Sequence, residues 1–298
     1  MRILVTGAAG YIGSALVRAL LPRGEVLAVD QAAPVAGTPV VGNLAYPQFA
    51  RSLITPEVGA VFHLASLVSG GAEQNFELGT KVNLEATRDL LEACRLAGHR
   101  PKFVFASSIA VYGGSLPDPV TDDTPAAPRL SYGAQKLVGE ILIADYTRRG
   151  YLDGCSLRLP TVMVRPGAAN TAVSGWASAI IREPLAGRDY ACPVKPGTRM
   201  ACISLRRVVE AFLHATSIKG TILLPGLSVS AAQMWQAVKS RASGKVTFAP
   251  DEHLQAIMDS VPKATVSEKA GQLGFRGSAS IEEIVADYEE EASVTNHG

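Results

Sequence analysis

The chain has 298 residues, 47% of them hydrophobic and 18% charged, and carries a formal net charge of +1. This length buries a sizeable core, and the balance fits a compact soluble enzyme rather than a disordered or solvating chain. Without a basic block or aromatic-basic interleaving no nucleic acid is expected as a partner, and with Gly or Arg breaking every apolar run no membrane span is expected either.

Met1-Arg2 leads directly into apolar residues, without the charged, apolar and small-residue regions of a signal peptide, so a cytoplasmic protein is expected. Ile3-Leu4-Val5-Thr6 is a short apolar run ended by glycine, the pattern of a buried parallel strand. Gly7, Gly10 and Gly13 follow, with Tyr11 and Ile12 inside the run, and Ser14 to Leu21 reads as a helix ended near Pro22. One glycine makes a tight turn, one lets the backbone approach a pyrophosphate, and one lets helix and strand pack closely. The helix N-terminus then offers free N–H groups and a positive dipole end to the phosphates. With 28 Gly, chance supplies this bare spacing about 0.24 times per chain, so its place between a strand and a helix carries the inference.

Glu25 to Asp30 reads as the second strand, ending in a carboxylate about 20 residues past the glycines. A dinucleotide fold holds the adenosine ribose there, and the charge repels a 2′-phosphate, which favours NAD over NADP. A loop rich in Pro and Ala leads to Gly42-Asn43-Leu44, placed to flank the adenine. Gly59 to Ser66 is a third strand running into a loop, with His63 as a packing residue at the strand end. The small residues Ala65 and Ser66 after Leu64 let that loop lie against a cofactor, and Ser69-Gly70-Gly71 extends it toward a substrate pocket. Apolar residues at helical spacing (Leu78, Val82, Leu84, Leu90, Leu91, Leu96) predict a helix from Phe76 to Ala97, stopped by Gly98. Asn83 lies inside it, either facing solvent or buried with a structural partner.

Lys102 to Ala106 is a fourth strand with Ser107-Ser108 at its C-terminal end, the end beyond which open α/β sheets bind ligands. After a proline-rich loop comes Ser131-Tyr132-Gly133-Ala134-Gln135-Lys136, where Ser131 reads as an N-cap and Leu137, Val138, Ile141 and Leu142 as the apolar stripe of a helix. Tyr132 and Lys136 share one helical face. A lysine beside a phenol makes a base near neutral pH, which oxidation of an alcohol by hydride transfer needs. The pair alone is weak, since 8 Tyr and 9 Lys give such a spacing by chance about 0.24 times per chain, and a solvated helix pair is the alternative. Ser156 to Pro160 is a fifth strand of the nucleotide half. From Arg158 to Arg199 six basic residues (Arg158, Arg165, Arg182, Arg188, Lys195, Arg199) stand against two acidic ones (Glu183, Asp189). That excess suits an anionic substrate, a carboxylate or a nucleotide diphosphate, with ordinary surface charge as the alternative. The tail after Ile281 reads as an acidic helix. Four cysteines without metal spacing and five unclustered histidines lead to an expectation of reduced thiols and no metal.

Taken in order, Gly7-x-x-Gly10-x-x-Gly13, Asp30, His63-Leu64-Ala65, Asn83, Ser107-Ser108 with Val111-Tyr112-Gly113, and Tyr132-x-x-x-Lys136 resemble the extended short-chain dehydrogenase/reductase family over nearly the full length. The resemblance implies an α/β fold with a Rossmann-type doubly wound parallel sheet and a smaller C-terminal α/β substrate region. Residues 1–165 would bind NAD, 200–225 would return to that domain, and 166–199 with 226–298 would bind substrate. It implies catalysis by Ser108, Tyr132 and Lys136, with Asn83 as a structural fourth member. NAD would be held by Gly7, Gly10, Tyr11, Ile12, Gly13, Asp30, Asn43, Leu44, Leu64, Ala65, Ser66, Asn83, Tyr132, Lys136 and Pro160, the last shielding the nicotinamide. The Lys136 ammonium and the ring of oxidised NAD are expected to bring the phenol from its ordinary value near 10 toward about 7 to 8. Two departures stand out: Ser204-Leu205-Arg206-Arg207 in place of His-Val-Asp-Asp, and Asn43 in place of Asp beside the adenine.

Within that family, Arg158 to Gly167 together with Ile181 to Leu185 resemble the D-erythronate dehydrogenase branch. This implies NAD-dependent oxidation of the C2 hydroxyl of a small anionic sugar acid, D-erythronate to 2-dehydro-D-erythronate, with Tyr132 as base. Substrate contacts would come from Ser69, Ser108, Tyr132, Arg165, Asn170 and Arg182. A nucleotide-sugar 4-epimerase or dehydratase would use the same triad and is the second reading. A non-catalytic dinucleotide sensor is the third, and the intact Tyr–Lys pair stands against it. A homodimer through the 76–97 and 131–149 helices is expected by analogy.

Overall fold

The computed structural model describes residues 2–167 and 172–295. The chain divides into two compact units, residues 1–111, 128–158 and 209–222 in the first and 112–127, 159–208 and 223–298 in the second. The first is built on a sheet of seven parallel strands, β1 (Arg2–Thr6), β2 (Glu25–Asp30), β3 (Thr38–Val41), β4 (Val58–His63), β5 (Lys102–Ser108), β6 (Asp153–Leu159) and β7 (Gly220–Leu223). Their spatial order is β3-β2-β1-β4-β5-β6-β7, so the winding reverses between β1 and β4, where doubly wound sheets bind ligands. Side chains alternate between the faces. Leu4, Val61, Phe103 and Phe105 pack with Leu90, Leu91, Cys94 and Ile143 from two helices. On β4, Phe62 turns the other way and meets Phe212 edge to face at 6.4 Å between centroids.

Three local expectations are corrected. The Pro/Ala-rich stretch contains β3, which pairs in parallel with β2 from Leu27↔Thr38 to Asp30↔Val41. Pro39 hid it, and β3 tolerates Pro39 because it is the edge strand. The helix expected from Phe76 to Ala97 is broken into Phe76–Gly79, a π-helical Thr80–Glu85 and a regular Ala86–Ala97. The widened turn displaces the 3.6-residue stripe, leaving Leu78 and Leu96 exposed and Asn83 buried. The helix Ser131–Arg148 is capped by Leu130 and not by Ser131, whose N–H bonds the Glu73 carboxylate. Its sheet-facing side is Gly133, Gln135, Lys136, Gly139, Glu140 and Ile143, while Val138 and Ile141 are exposed. Glycine is needed on that face: a Cβ at Gly133 would lie 2.0 Å from the Ala110 carbonyl oxygen, and one at Gly139 3.1 Å from the Phe105 ring.

In the second unit, strands Thr161–Met163, Arg199–Ser204 and Leu227–Ser230 form one small sheet, and Tyr190–Cys192 pairs with Val246–Phe248. Trp176, Ile180, Met200, Met234 and Ile284 belong to its core. The acidic tail is the helix Ile281–Thr295, and it explains one departure from the family pattern. Arg206 pairs with Asp287 at 3.0 Å and Arg207 with Glu283 at 2.9 Å, so the two arginines dock this helix. No helix among the described residues is long and apolar enough to cross a membrane.

Candidate active site

The loop after β1 carries the three glycines. A Cβ at Gly13 would lie 2.0 Å from the Gly7 carbonyl oxygen, so only glycine lets the following helix, Tyr11–Leu20, start this close to the strand end. Tyr11 and Ile12 are its first residues. Asp30 closes β2 and faces the same loop: Oδ2 accepts from Ala9 N at 3.0 Å and Oδ1 from Gln31 N at 2.7 Å. A carboxylate accepts about four hydrogen bonds, so it retains capacity for ribose hydroxyls. The close-packed glycine cradle and the carboxylate beside it fit a dinucleotide.

A hydrogen-bond string pins the neighbouring loop. Leu64 N and Ala65 N donate to Thr6 Oγ1 at 3.2 and 3.3 Å. Thr6 Oγ1 lies 2.7 Å from His63 Nδ1, His63 Nε2 lies 2.9 Å from Thr87 Oγ1, and Thr87 donates to the Asn83 carbonyl at 2.8 Å. Burial, with Lys136 adding to it, drives the His63 pKa down to about 3, so the ring is neutral and one nitrogen donates. Because Thr87 spends its proton on Asn83, Nε2 carries the ring proton and Nδ1 accepts from Thr6. All donors then run one way, from loop to helix. His63 is thus the packing residue read from the sequence, and it orients as well.

The Asn83 side chain, turned inward by the π-helical segment, is fully engaged. Its oxygen accepts from Leu67 N at 2.7 Å and Ser66 Oγ at 2.9 Å, and its nitrogen donates to the Leu67 carbonyl at 3.0 Å and Gln135 Oε1 at 2.7 Å. It ties the loop after β4 to the Tyr132 helix. The Ser108 and Ser66 hydroxyls act on the Tyr132 phenol, each favouring its ionised form, and Ser108 Oγ accepts from Ala110 N at 3.1 Å. Lys136 Nζ lies 5.5 Å from the Tyr132 ring centroid and 4.7 Å from that of Phe105. The protein's own groups shift the phenol the other way. Burial lifts Tyr132 above its usual value against the pull of the Ser108 and Ser66 hydroxyls. Burial also drives Lys136 down to about 7, with Glu140 opposing. Desolvation of phenolate and ammonium outweighs what the two serines and Glu140 return.

Asn43 Oδ1 accepts from Ala45 N at 2.8 Å, and Leu44 is a core residue beside Ala50 and Leu53. Ser69 opens the helix Ser69–Gln74. Pro160, Arg165 and Arg182 belong to the second unit, and Asn170 lies outside the described residues. Arg182 is buried, with Nε 2.8 Å from Glu183 Oε1 and Nη1 2.7 Å from the Arg165 carbonyl oxygen, while Arg165 N donates to Ser178 Oγ at 3.0 Å. Arg182 therefore holds the Arg165 backbone. The basic excess is mostly internal pairing: Arg158 with Glu140, Arg182 and Arg188 with Glu183, and Arg199 with Asp118. Sequence reasoning missed Thr6, Thr87, Gln135 and Glu140. Gln135 sits inside the Tyr-x-x-x-Lys run and Glu140 one turn past it, which is the signal that could have found them.

Against known proteins, the sequence is 43% identical to a D-erythronate dehydrogenase of Cupriavidus necator, covering 99% of both chains. It is 38% identical to one of Haemophilus influenzae, over 97% of this chain and 98% of that one. Among solved structures, a nucleoside-diphosphate-sugar epimerase from Agrobacterium tumefaciens superposes with a TM-score of 0.91 at 34% identity, covering 97% of this chain and 94% of the other. Since residues 3–216 also match the NAD dependent epimerase/dehydratase family, the chain belongs to that family and is an NAD-dependent oxidoreductase.

Proposed function

We propose that the protein oxidises the C2 hydroxyl of a small sugar acid, D-erythronate to 2-dehydro-D-erythronate, with Tyr132 as the base. The observation that carries the chemistry is Tyr132 one helical turn from the buried Lys136, whose Nζ lies 5.5 Å from the phenol ring centroid, with the Ser108 and Ser66 hydroxyls acting on the phenol. The substrate rests on the end-to-end likeness to two D-erythronate dehydrogenases. When bound, NAD accepts the hydride from C2. Gly7, Gly10, Gly13 and Asp30 would hold it, and Lys136 would reach its second ribose. Ser108 orients the substrate hydroxyl and Tyr132 takes its proton, so one hydride and one proton leave the alcohol and a carbonyl remains. A homodimer through the exposed apolar side of the Ser131–Arg148 helix belongs to the same proposal, with sedimentation velocity at two concentrations as its test.

The likeness to a nucleoside-diphosphate-sugar epimerase keeps that second reading in view. A screen of aldonic acids and nucleotide sugars, read as NADH absorbance with product analysis for epimers, separates the two. D-Erythronate is expected to reduce NAD, and turnover of UDP- or dTDP-sugars with none of erythronate would overturn the proposal. In the same assay Asp30→Ala is expected to weaken NAD and narrow its lead over NADP, because the carboxylate that repels a 2′-phosphate is gone.

A further inference from the structure

We infer that Glu140 is a positioning residue for the Tyr132–Lys136 pair, its buried carboxylate favouring the protonated Lys136 ammonium beside the phenol. This rests on the reading of Tyr132 as base, because a charged lysine matters to turnover only beside an ionising phenol. Tyr132, Lys136 and Glu140 follow one another at four-residue spacing on the helix Ser131–Arg148, so they stand in one row. Lys136 and Glu140 are both buried.

The carboxylate is held from two strands. Arg158 on β6 donates from Nε to Oε1 at 3.0 Å and Oε2 at 3.1 Å, and from Nη2 to Oε2 at 2.7 Å. Ser107 on β5, the neighbour of Ser108, donates from Oγ to Oε1. Glu140 cannot swing away, and the bond it takes from Ser107 fixes the strand end that presents Ser108.

The surroundings of Lys136 leave its charge to Glu140. From β5 the lysine meets the Phe105 ring and from its own helix the Tyr132 ring. His63 on β4, which feels the Lys136 charge, is neutral at a pKa of about 3. Thr87 and Asn83, from the helical segments on the far side of His63, bring no charge. Among the described residues, Glu140 is the group whose charge favours protonated Lys136, and Arg158 acts by holding Glu140. A buried ammonium without such a partner gives up its proton.

The decisive measurement is direct. In cofactor-free protein labelled with 13C at lysine Cε, the Lys136 resonance, assigned by its loss in Lys136→Arg, is followed against pH. It is expected to titrate near pH 7 in the unmodified protein. Glu140→Gln should lower that midpoint by at least about one pH unit. The double variant Glu140→Gln/Arg158→Gln puts a neutral polar pair where the ion pair stood, so it guards against misfolding of the single one, and it should lower the midpoint by less because the Arg158 cation is removed too. Turnover of the folded variant should fall about tenfold at pH 8, with the deficit closing toward pH 6 as Lys136 regains its proton. Glu140→Asp, which keeps the charge, should hold the midpoint and most of the turnover. A Lys136 midpoint unchanged in the folded single or double variant, or a turnover deficit independent of pH, would overturn the inference and leave Glu140–Arg158 a structural pair. Failure of the base reading shows differently: Tyr132→Phe would keep its turnover while the Lys136 midpoint still moved with Glu140.

Discussion

Two helices cover the same face of the first unit's sheet and solve the problem in opposite ways. Ala86–Ala97 buries Leu90, Leu91, Ala93 and Cys94 as an apolar stripe, with Thr87 and the Arg51-paired Asp89 beside it. Ser131–Arg148 buries two glycines, Gln135, Lys136 and Glu140 on its inner side, with Ile143 as the one large apolar residue there, and leaves Val138 and Ile141 outside. The first helix stabilises the fold through burial, at about 1.5–3 kcal/mol for each fully buried large side chain. The second gives up much of that contribution to place a phenol, an ammonium and a carboxylate in one row. The comparison teaches that a helix with a weak apolar stripe on a well-packed sheet is where chemistry resides, since its sequence answers to something besides packing.

The sharpest way to break this contrast is to exchange one atom on the chemical helix. Tyr132→Phe removes the proton acceptor and nothing else, and is expected to lower kcat by about 10²- to 10⁴-fold, or about 3–5 kcal/mol of activation free energy. NADH binding and the melting temperature should stay near those of the unmodified protein. Near-normal turnover would return Tyr132 and Lys136 to the status of a helix pair. On the apolar helix the outcome should invert. Leu90→Ala opens a cavity in the sheet's core and is expected to cost about 2–5 kcal/mol in a denaturant melt, with kcat of the folded fraction unchanged. A matching loss of kcat would show that the two helices are not separable in this way.

What could be read without a structure follows the same line. The glycine run, Asp30 and Tyr132-x-x-x-Lys136 are local patterns in which a fixed spacing on a strand end or a helix determines the geometry, and they were legible. The same holds for five of the seven strands; β3 was hidden because Pro39 in four residues left no alternation to detect, and β7 lay unmarked within the 200–225 return that the family resemblance implied. The buried side of Ser131–Arg148 was misread because hydrophobicity was taken as the guide to burial, and there the burial is polar. The basic stretch from Arg158 to Arg199 looked freer than it is because two of its partners are remote. Arg199 meets Asp118, 81 positions away, and Arg158 meets Glu140 across a helix–strand contact. Charge counted along a sequence does not see such pairing. Asn83 was left between solvent and burial because nothing in Thr80 to Glu85 announces the π-helical turn that swings it inward.

His63 gives a prediction from the bond string that both helices depend on. Its pKa is about 3 in the fold against an ordinary value of 6.5, so the unfolded chain binds the extra proton between those limits. Stability from this group is therefore complete above pH 6.5 and is lost as pH falls toward 3, by about 3 kcal/mol at pH 4. His63→Gln, whose amide offers both a donor and an acceptor, should remove that slope. Denaturant melts at pH 7 and pH 4 should show the unmodified protein losing about 3 kcal/mol more than the variant. Equal slopes would mean that His63 protonates freely and that the one-way string from loop to helix does not exist.

The smallest effect tests the contrast most directly, because it should make the chemical helix resemble its neighbour. Lys136 is buried, and burial drives its pKa down from 10.5 to about 7, which means that the fold disfavours its charge. Below pH 7 the lysine is charged in both states and the whole cost is present. Between 7 and 10.5 only the unfolded chain holds the proton, so stability rises with pH, and above 10.5 the cost is gone. Lys136→Met keeps the length of the side chain and removes the charge, while Glu140 keeps its bonds to Arg158 and Ser107. The variant is expected to be more stable than the unmodified protein by about 1–3 kcal/mol at pH 6, with the gain shrinking toward pH 10, while turnover is lost. Part of the gain is offset because Glu140 loses a favourable neighbour, which is why it falls short of what the pKa difference alone implies. Urea melts at pH 6, 8 and 10 read the sign and the trend together. A variant that is less stable at pH 6 would mean that the Lys136 ammonium holds the fold together, and that the two helices differ in their means of packing rather than in their purpose.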